Sequence, residues 1–209
     1  MTESAVRACD LTVIGVGNLL WADEGFGVRC AEHFHEMFRP VPRGRVLDGG
    51  TLGLWLLDAF STTRDLLIFD CADLHEPPGS LKVLPGEDLE LWTATKISPH
   101  QAGVNDVLAS AALLGRSPDR IAVIAVQPLV LEDYGGSLSP LVRAAVRPAI
   151  EAARLVLEGW GYGLELRAPG EPVPPFTEAC LDEGSYEAGR PSEAAACRAG
   201  DPRFASSAA

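Results

Sequence analysis

Three short runs of apolar residues set the tightest limit on how this chain can fold: "LTVIGVG" (11–17), the Leu66–Phe69 stretch of "DLLIFDCAD" (65–73), and "RIAVIAVQP" (120–128). Each is of strand length, and the middle run has no polar face to give to water. Strands of that kind belong to a parallel sheet covered on both sides. The segments between them have helical period: Glu24 to Phe38, "TLGLWLLDAF" (51–60), "HQAGVNDVLASAALLG" (100–115) and Ser139 to Gly159. With "GRVLDGG" (44–50) as a further strand, the order is a repeated strand-helix-strand, which predicts an α/β fold. The 65–73 strand is expected at the sheet centre, and "GSLKVLPG" (79–86) reads as a short strand between turn residues. Gly115 should stop the third helix. Ser139 followed by Pro140 should cap the start of the fourth, and Pro148 should kink or interrupt it.

The chain has 209 residues, 47% of them hydrophobic, which is enough for one sizeable core. A single domain over 1–166 is expected. After Arg167 the composition turns to Pro, Gly, Ser, Ala and acidic residues, and the segment 167–209 is expected to be disordered. The formal net charge of -12 repels phosphate backbones and anionic membranes, which argues against nucleic acid and membrane partners. No apolar run approaches bilayer length, and "MTESAVRACD" is unlike a signal peptide, so a cytoplasmic protein is expected. The five cysteines are odd in number and form no CxxC pair, which predicts reduced thiols. By strand alternation Cys71 faces away from Asp70 and is expected to be buried.

In a mostly parallel sheet, ligands bind beyond the carboxyl ends of the strands. The polar residues there are Asn18, Asp23 and Glu24 after the first strand; Asp48, Gly49 and Gly50 after the second; Asp70 and Asp73 after the third; and "KISPHQ" (96–101) before a later helix. "GVGNLL" resembles a dinucleotide loop but has Leu20 where the third glycine belongs, and carboxylates where a phosphate needs amides. That weighs against a nucleotide-binding oxidoreductase. Asp23 and Glu24 also fit a plain role at a helix start, where acids interact favourably with the macrodipole. His33 and His35 read as surface residues of the first helix segment. If the loops meet at one edge, Glu24, Asp70 and His100 supply two carboxylates and one imidazole, a set suited to zinc, nickel or manganese. No elbow serine and no HExxH helix offers a rival hydrolytic site.

The strings "IGVGNLLWADEGFGVR", "LDGGT" (47–51), "LLIFDCAD" and "KISPHQ", in this order and spacing, resemble the maturation endopeptidases of nickel-iron hydrogenases. "WADEGFGVR" is most similar to the proteases serving membrane-bound uptake hydrogenases. The resemblance covers roughly residues 11–160. It implies a three-layer α/β/α sandwich around a twisted, mostly parallel sheet of about five strands, with one antiparallel edge strand that 79–86 would supply. It also implies removal of a carboxyl-terminal extension from the hydrogenase large-subunit precursor after nickel insertion. The family's metal positions fall on Glu24, Asp70 and His100, toward the nickel of the precursor, with zinc or cadmium standing in for it in vitro. Asp48 and Gln101 match further motif positions and are candidate catalytic or supporting residues. Gly25 and Gly27 are read as letting the helix start approach a bulky partner. The alternative is a noncatalytic nickel-sensing escort of the large subunit.

Overall fold

The computed structural model describes residues 7–88 and 99–191, with the backbone alone for residues 87 and 99–102. Five strands, β1 (Cys9–Val16), β2 (Gly44–Gly50), β3 (Thr63–Cys71), β4 (Leu81–Pro85) and β5 (Arg120–Val126), form one sheet in the order β2-β1-β3-β5-β4. All neighbours are parallel except β4, which pairs antiparallel with β5 at the edge. The central strand is therefore β3, as its apolar run requires.

Alternation along the strands divides the core in two. Leu11, Val13, Leu67, Phe69, Cys71, Ile124 and Val126 face α1 (Phe26–Met37) and the long helix at Pro140–Gly159. Ile14, Val16, Leu66, Ile68, Val123 and Ala125 face α2 (Leu57–Ser61) and α3 (Pro99–Leu113). Phe26, Phe60 and Phe69 are completely buried, each worth about 2–3 kcal/mol of burial. "TLGLWLLDAF" forms a 3-10 turn (Gly53–Leu56) running into α2 rather than one helix.

The glycines of the first motif act inside the protein, not toward a partner. A Cβ at Gly27 would lie 2.2 Å from the Val16 carbonyl oxygen and 2.4 Å from that of Phe69, so α1 starts directly against the ends of β1 and β3. Gly17, at φ +128°, turns the chain where a side chain would strike the Glu24 carbonyl.

The helix α4 (Pro140–Gly159) runs uninterrupted through Pro148. Its buried stripe of Val142, Ala145, Val146, Ala149, Ile150 and Ala153 outweighs the roughly 3 kcal/mol that a helical proline costs. Ser139 caps nothing within its own helix; its N–H and hydroxyl bind Asp23 instead. Gly115, at φ +64°, ends the run after α3 as its sequence predicts.

The expectation of a disordered segment from 167 onward fails for 167–191. Arg167 N–H donates to the Met37 carbonyl at 2.9 Å, and Arg39 pairs with Glu171 at 2.7 Å. Arg29 donates to Leu181 O at 2.8 Å, and the Glu183 N–H donates to Glu32 at 3.1 Å. Asp182 caps the short helix α5 (Glu183–Gly189) by accepting from the Ser185 N–H. Composition missed this because polar pairing, with Phe176 as one apolar anchor, holds the segment. Residues 192–209 lie outside the described residues. Among the described residues no helix is long and apolar enough to cross a membrane.

Candidate active site

The first strand ends at Val16, and the chain then turns through Gly17 into a 3-10 turn (Ala22–Gly25) that carries Asp23 and Glu24 against β3. Asp23 is fully buried. Its carboxylate accepts from the N–H groups of Leu129, Val130 and Ser139 at 2.9, 2.8 and 2.6 Å, and from the Ser139 hydroxyl at 2.9 Å. It is therefore an anchor, tying the 17–24 loop to the 127–139 loop and the start of α4, and not a helix-start charge for α1. Four donors occupy its oxygens, so of the "DE" pair it is Asp23 that has the structural role.

Asp70 sits at the end of β3 with no exposed surface, and one oxygen accepts from the Cys71 N–H at 2.8 Å. Its partner in the register is Ala125, so it points to the α2 and α3 face. Cys71 points the other way and is buried, as predicted. Burial pushes the Cys71 thiol well above its ordinary pKa, and the charges of Asp70, Asp23 and Glu24 push it further. Glu24, in the 3-10 turn packed against β3, and Asp70 are thus brought to the same end of that strand.

His100 lies in the first turn of α3. Val104 and Val107 of that helix pack into the core on the Asp70 face. Gly103 approaches so closely that a Cβ would come 3.0 Å from Gly53 Cα, which seats the helix start on the turn after β2. His100 and Gln101 are therefore placed by their backbone on the same face and edge as Asp70; their side chains lie outside the described residues. Among the described side chains, no three His, Cys, Asp or Glu groups gather closely enough to hold a metal ion. A carboxylate-rich pair joined by an imidazole would suit a borderline divalent cation.

Asp48 is not brought beside Asp70. It pairs with Gly15, which pairs with Phe69, so it points to the α1 face. One of its oxygens accepts from the Gly50 N–H at 2.9 Å, shaping the turn that receives α3. Burial raises its pKa, opposed by the Gly50 N–H and by Arg29, and reinforced by Glu32. Arg29 and Glu32 form a buried ion pair at 2.5 Å on α1, a feature that the sequence reading passed over. Its signal is a charged pair three residues apart, flanking the apolar stripe of Phe26, Cys30 and Phe34. His33 and His35 are half-exposed and contact the C-terminal segment, through Glu183 and the Pro174 carbonyl.

A family model described as hydrogenase maturation protease matches residues 28–154. The chain is 44% identical over 198 residues to the hydrogenase expression/formation protein HupD of Rhodobacter capsulatus, covering 94% of this chain and 93% of that protein. It is 43% identical to the hydrogenase expression/formation protein HoxM of Cupriavidus necator over 197 residues, covering 93% and 97%. Spans of that length must take in most of 167–191. Among solved structures, the hydrogenase maturating endopeptidase HybD from E. coli superposes with a TM-score of 0.72 at 33% identity, covering 77% of this chain and 99% of its own. That match leaves uncovered a share of this chain large enough to hold the whole of 167–209. With the motif loops, the five-strand sheet and these relatives in agreement, the chain belongs to the hydrogenase maturation protease family and is an endopeptidase.

Proposed function

We propose that this endopeptidase removes the carboxyl-terminal extension of the nickel-iron hydrogenase large-subunit precursor in the cytoplasm, after nickel has been inserted. The observation that carries the reading is that the 3-10 turn bearing Glu24 packs against β3, whose end bears Asp70, at the carboxyl edge of the sheet to which the start of the His100 helix also comes. The nickel belongs to the substrate. Glu24, Asp70 and His100 would bind it, and the other positions on the ion would keep the precursor's own ligands. Docking then brings the scissile peptide against this edge, so cleavage waits for a correctly loaded precursor. A metal held there can polarise the peptide carbonyl or activate water. The register places Asp48 on the other face, so a ligating carboxylate is the better base. Asp48 acts through the turn that seats α3.

The test is incubation of the purified protein with nickel-loaded and nickel-free precursor, read by mass spectrometry. The loaded precursor should lose its extension and the nickel-free one should stay intact, while zinc or cadmium should replace nickel in vitro. Asp70→Asn preserves volume and an acceptor for the Cys71 N–H. It should nevertheless slow processing on the order of 100-fold or more, because metal-dependent stabilisation is worth several kcal/mol. Glu24→Ala and His100→Ala should do the same. Near-normal processing by all three variants would sink the reading, as would an unchanged precursor mass with the wild-type protein.

A further inference from the structure

A cavity of about 810 Å³ lies beside the candidate site, with one wall from its loops and the other from the C-terminal segment. Leu20 and Tyr134 form the first wall; Tyr186, Gly189 and Pro191 form the second. The first wall belongs to the site itself. The Leu20 carbonyl accepts from the Gly135 N–H at 2.7 Å, Trp21 pairs with Tyr134 across an antiparallel bridge, and Glu24 follows three residues later. The second wall is clamped to the first. The Tyr186 hydroxyl donates to the Gly136 carbonyl at 2.9 Å, and Arg190 Nε donates to the Gly135 carbonyl at 3.2 Å.

The lining is largely apolar and in the size range of cavities that bind side chains or small ligands. Leu20, Trp21, Leu129 and Tyr134 leave apolar surface exposed around the same loops, 37%, 37%, 51% and 52% of each residue. Leu20 lies in the same loop as Glu24, four residues before it, so the cavity opens on the loop that carries one of the proposed ligands. The segment that completes the cavity falls within the span shared with the HupD and HoxM relatives, whereas HybD is almost fully matched by 77% of this chain.

We propose that the cavity receives apolar side chains of the precursor's carboxyl-terminal extension, and that 167–191 is the element by which this branch of the family selects its substrate. The inference rests on the proposed function, since it needs an extension to be bound and cut. A pocket of this kind acts on selection: it tightens binding of the cognate polypeptide and leaves the bond-breaking groups untouched.

Gly189 provides the probe. Gly189 lines the cavity and a Cβ there meets nothing within 4 Å, so Gly189→Trp adds bulk at its wall without a clash at the Cβ. With nickel-loaded precursor, Gly189→Trp should raise KM about tenfold or more, the size of one lost apolar side-chain contact, and keep kcat within about twofold. Exchanging the extension's apolar residues for Asp should raise KM similarly for the wild type and add little in Gly189→Trp, because both changes remove one interaction. An unchanged KM in a folded Gly189→Trp, checked by circular dichroism, overturns the cavity's role while wild-type cleavage leaves the proposed function standing. No cleavage by the wild type overturns both. A chain ending at Pro191 should keep the wild-type KM; a KM lowered by that truncation would make the chain's own residues 192–209 the occupant and overturn the proposal.

Discussion

Asp23 and Glu171 are both carboxylates that tie distant pieces of chain together, and they do so under opposite conditions. Asp23 has no exposed surface and accepts four hydrogen bonds from the 129–139 loop, so it joins two loops of the site inside the protein. Glu171 is partly exposed and binds Arg39, Arg167 and the Ala168 N–H at the surface, clasping the C-terminal segment to the end of α1. The first bond set is shielded from salt and is costly to break. The second is screened by salt and open to acid. The site edge is therefore built as a permanent part of the core, and the Glu171 clasp at the start of 167–191 as a removable one.

The largest effect should come from Asp23. Asp23→Ala strips the acceptor from three backbone N–H groups and one hydroxyl, each costing about 1–3 kcal/mol if left buried without a partner. Because the loop can relax and admit water, a total of about 3–5 kcal/mol is expected in urea unfolding. A loss below about 1 kcal/mol would mean that the loop is not fixed by this residue, and the contrast with Glu171 would collapse. A smaller effect is expected from ending the chain at Pro169. That cut keeps the Arg167 to Met37 bond but removes Phe176, an apolar anchor of the segment, worth about 2 kcal/mol. The sheet should still unfold in one cooperative step. Failure of the shortened chain to fold would make the segment part of the core.

The two regions were also unequally legible. The apolar runs identified β1, β3 and β5, and the spacing of turn residues identified β2 and β4, because strands buried on both faces leave few alternatives. Parallel topology alone marks the loops after β1 and β3 as the candidate site. It does not give the orientation of Asp48, which depends on its pairing with Gly15, and register is a long-range property. Nor does it give the role of Asp23, whose partners lie more than 100 positions away. Pro148 does not interrupt α4 because propensity is local, while the stripe of α4 that overrides it is tertiary. The segment 167–191 is the least legible. Its composition has too little apolar surface to fold alone, and its order comes from charges on α1 that no window of sequence shows together.

The smallest effect is a matter of acid. Glu171 has its pKa lowered to about 2, chiefly by the hydrogen bond from Arg39 and then by the Ala168 N–H. A carboxylate whose pKa falls on folding contributes its stability above its ordinary value near 4.5, and loses it as the pH drops toward 2. The contribution is local, because the pair is at the surface and screened. Hydrogen exchange, corrected for its intrinsic rate, should show amides around 168–187 losing protection across that interval while those of β1, β3 and β5 hold. Glu171→Gln should show the weakened clasp already at pH 6, and 0.5 M salt should weaken it part of the way, since about 4–5 Å of screening length remains at that strength. Equal loss of protection in both regions at every pH would erase the distinction between a permanent edge and a removable clasp. If the clasp alone opens, Tyr186 and Arg190 still hold the cavity wall to the 135–136 loop, so KM for the precursor should change far less than the protection around Glu171.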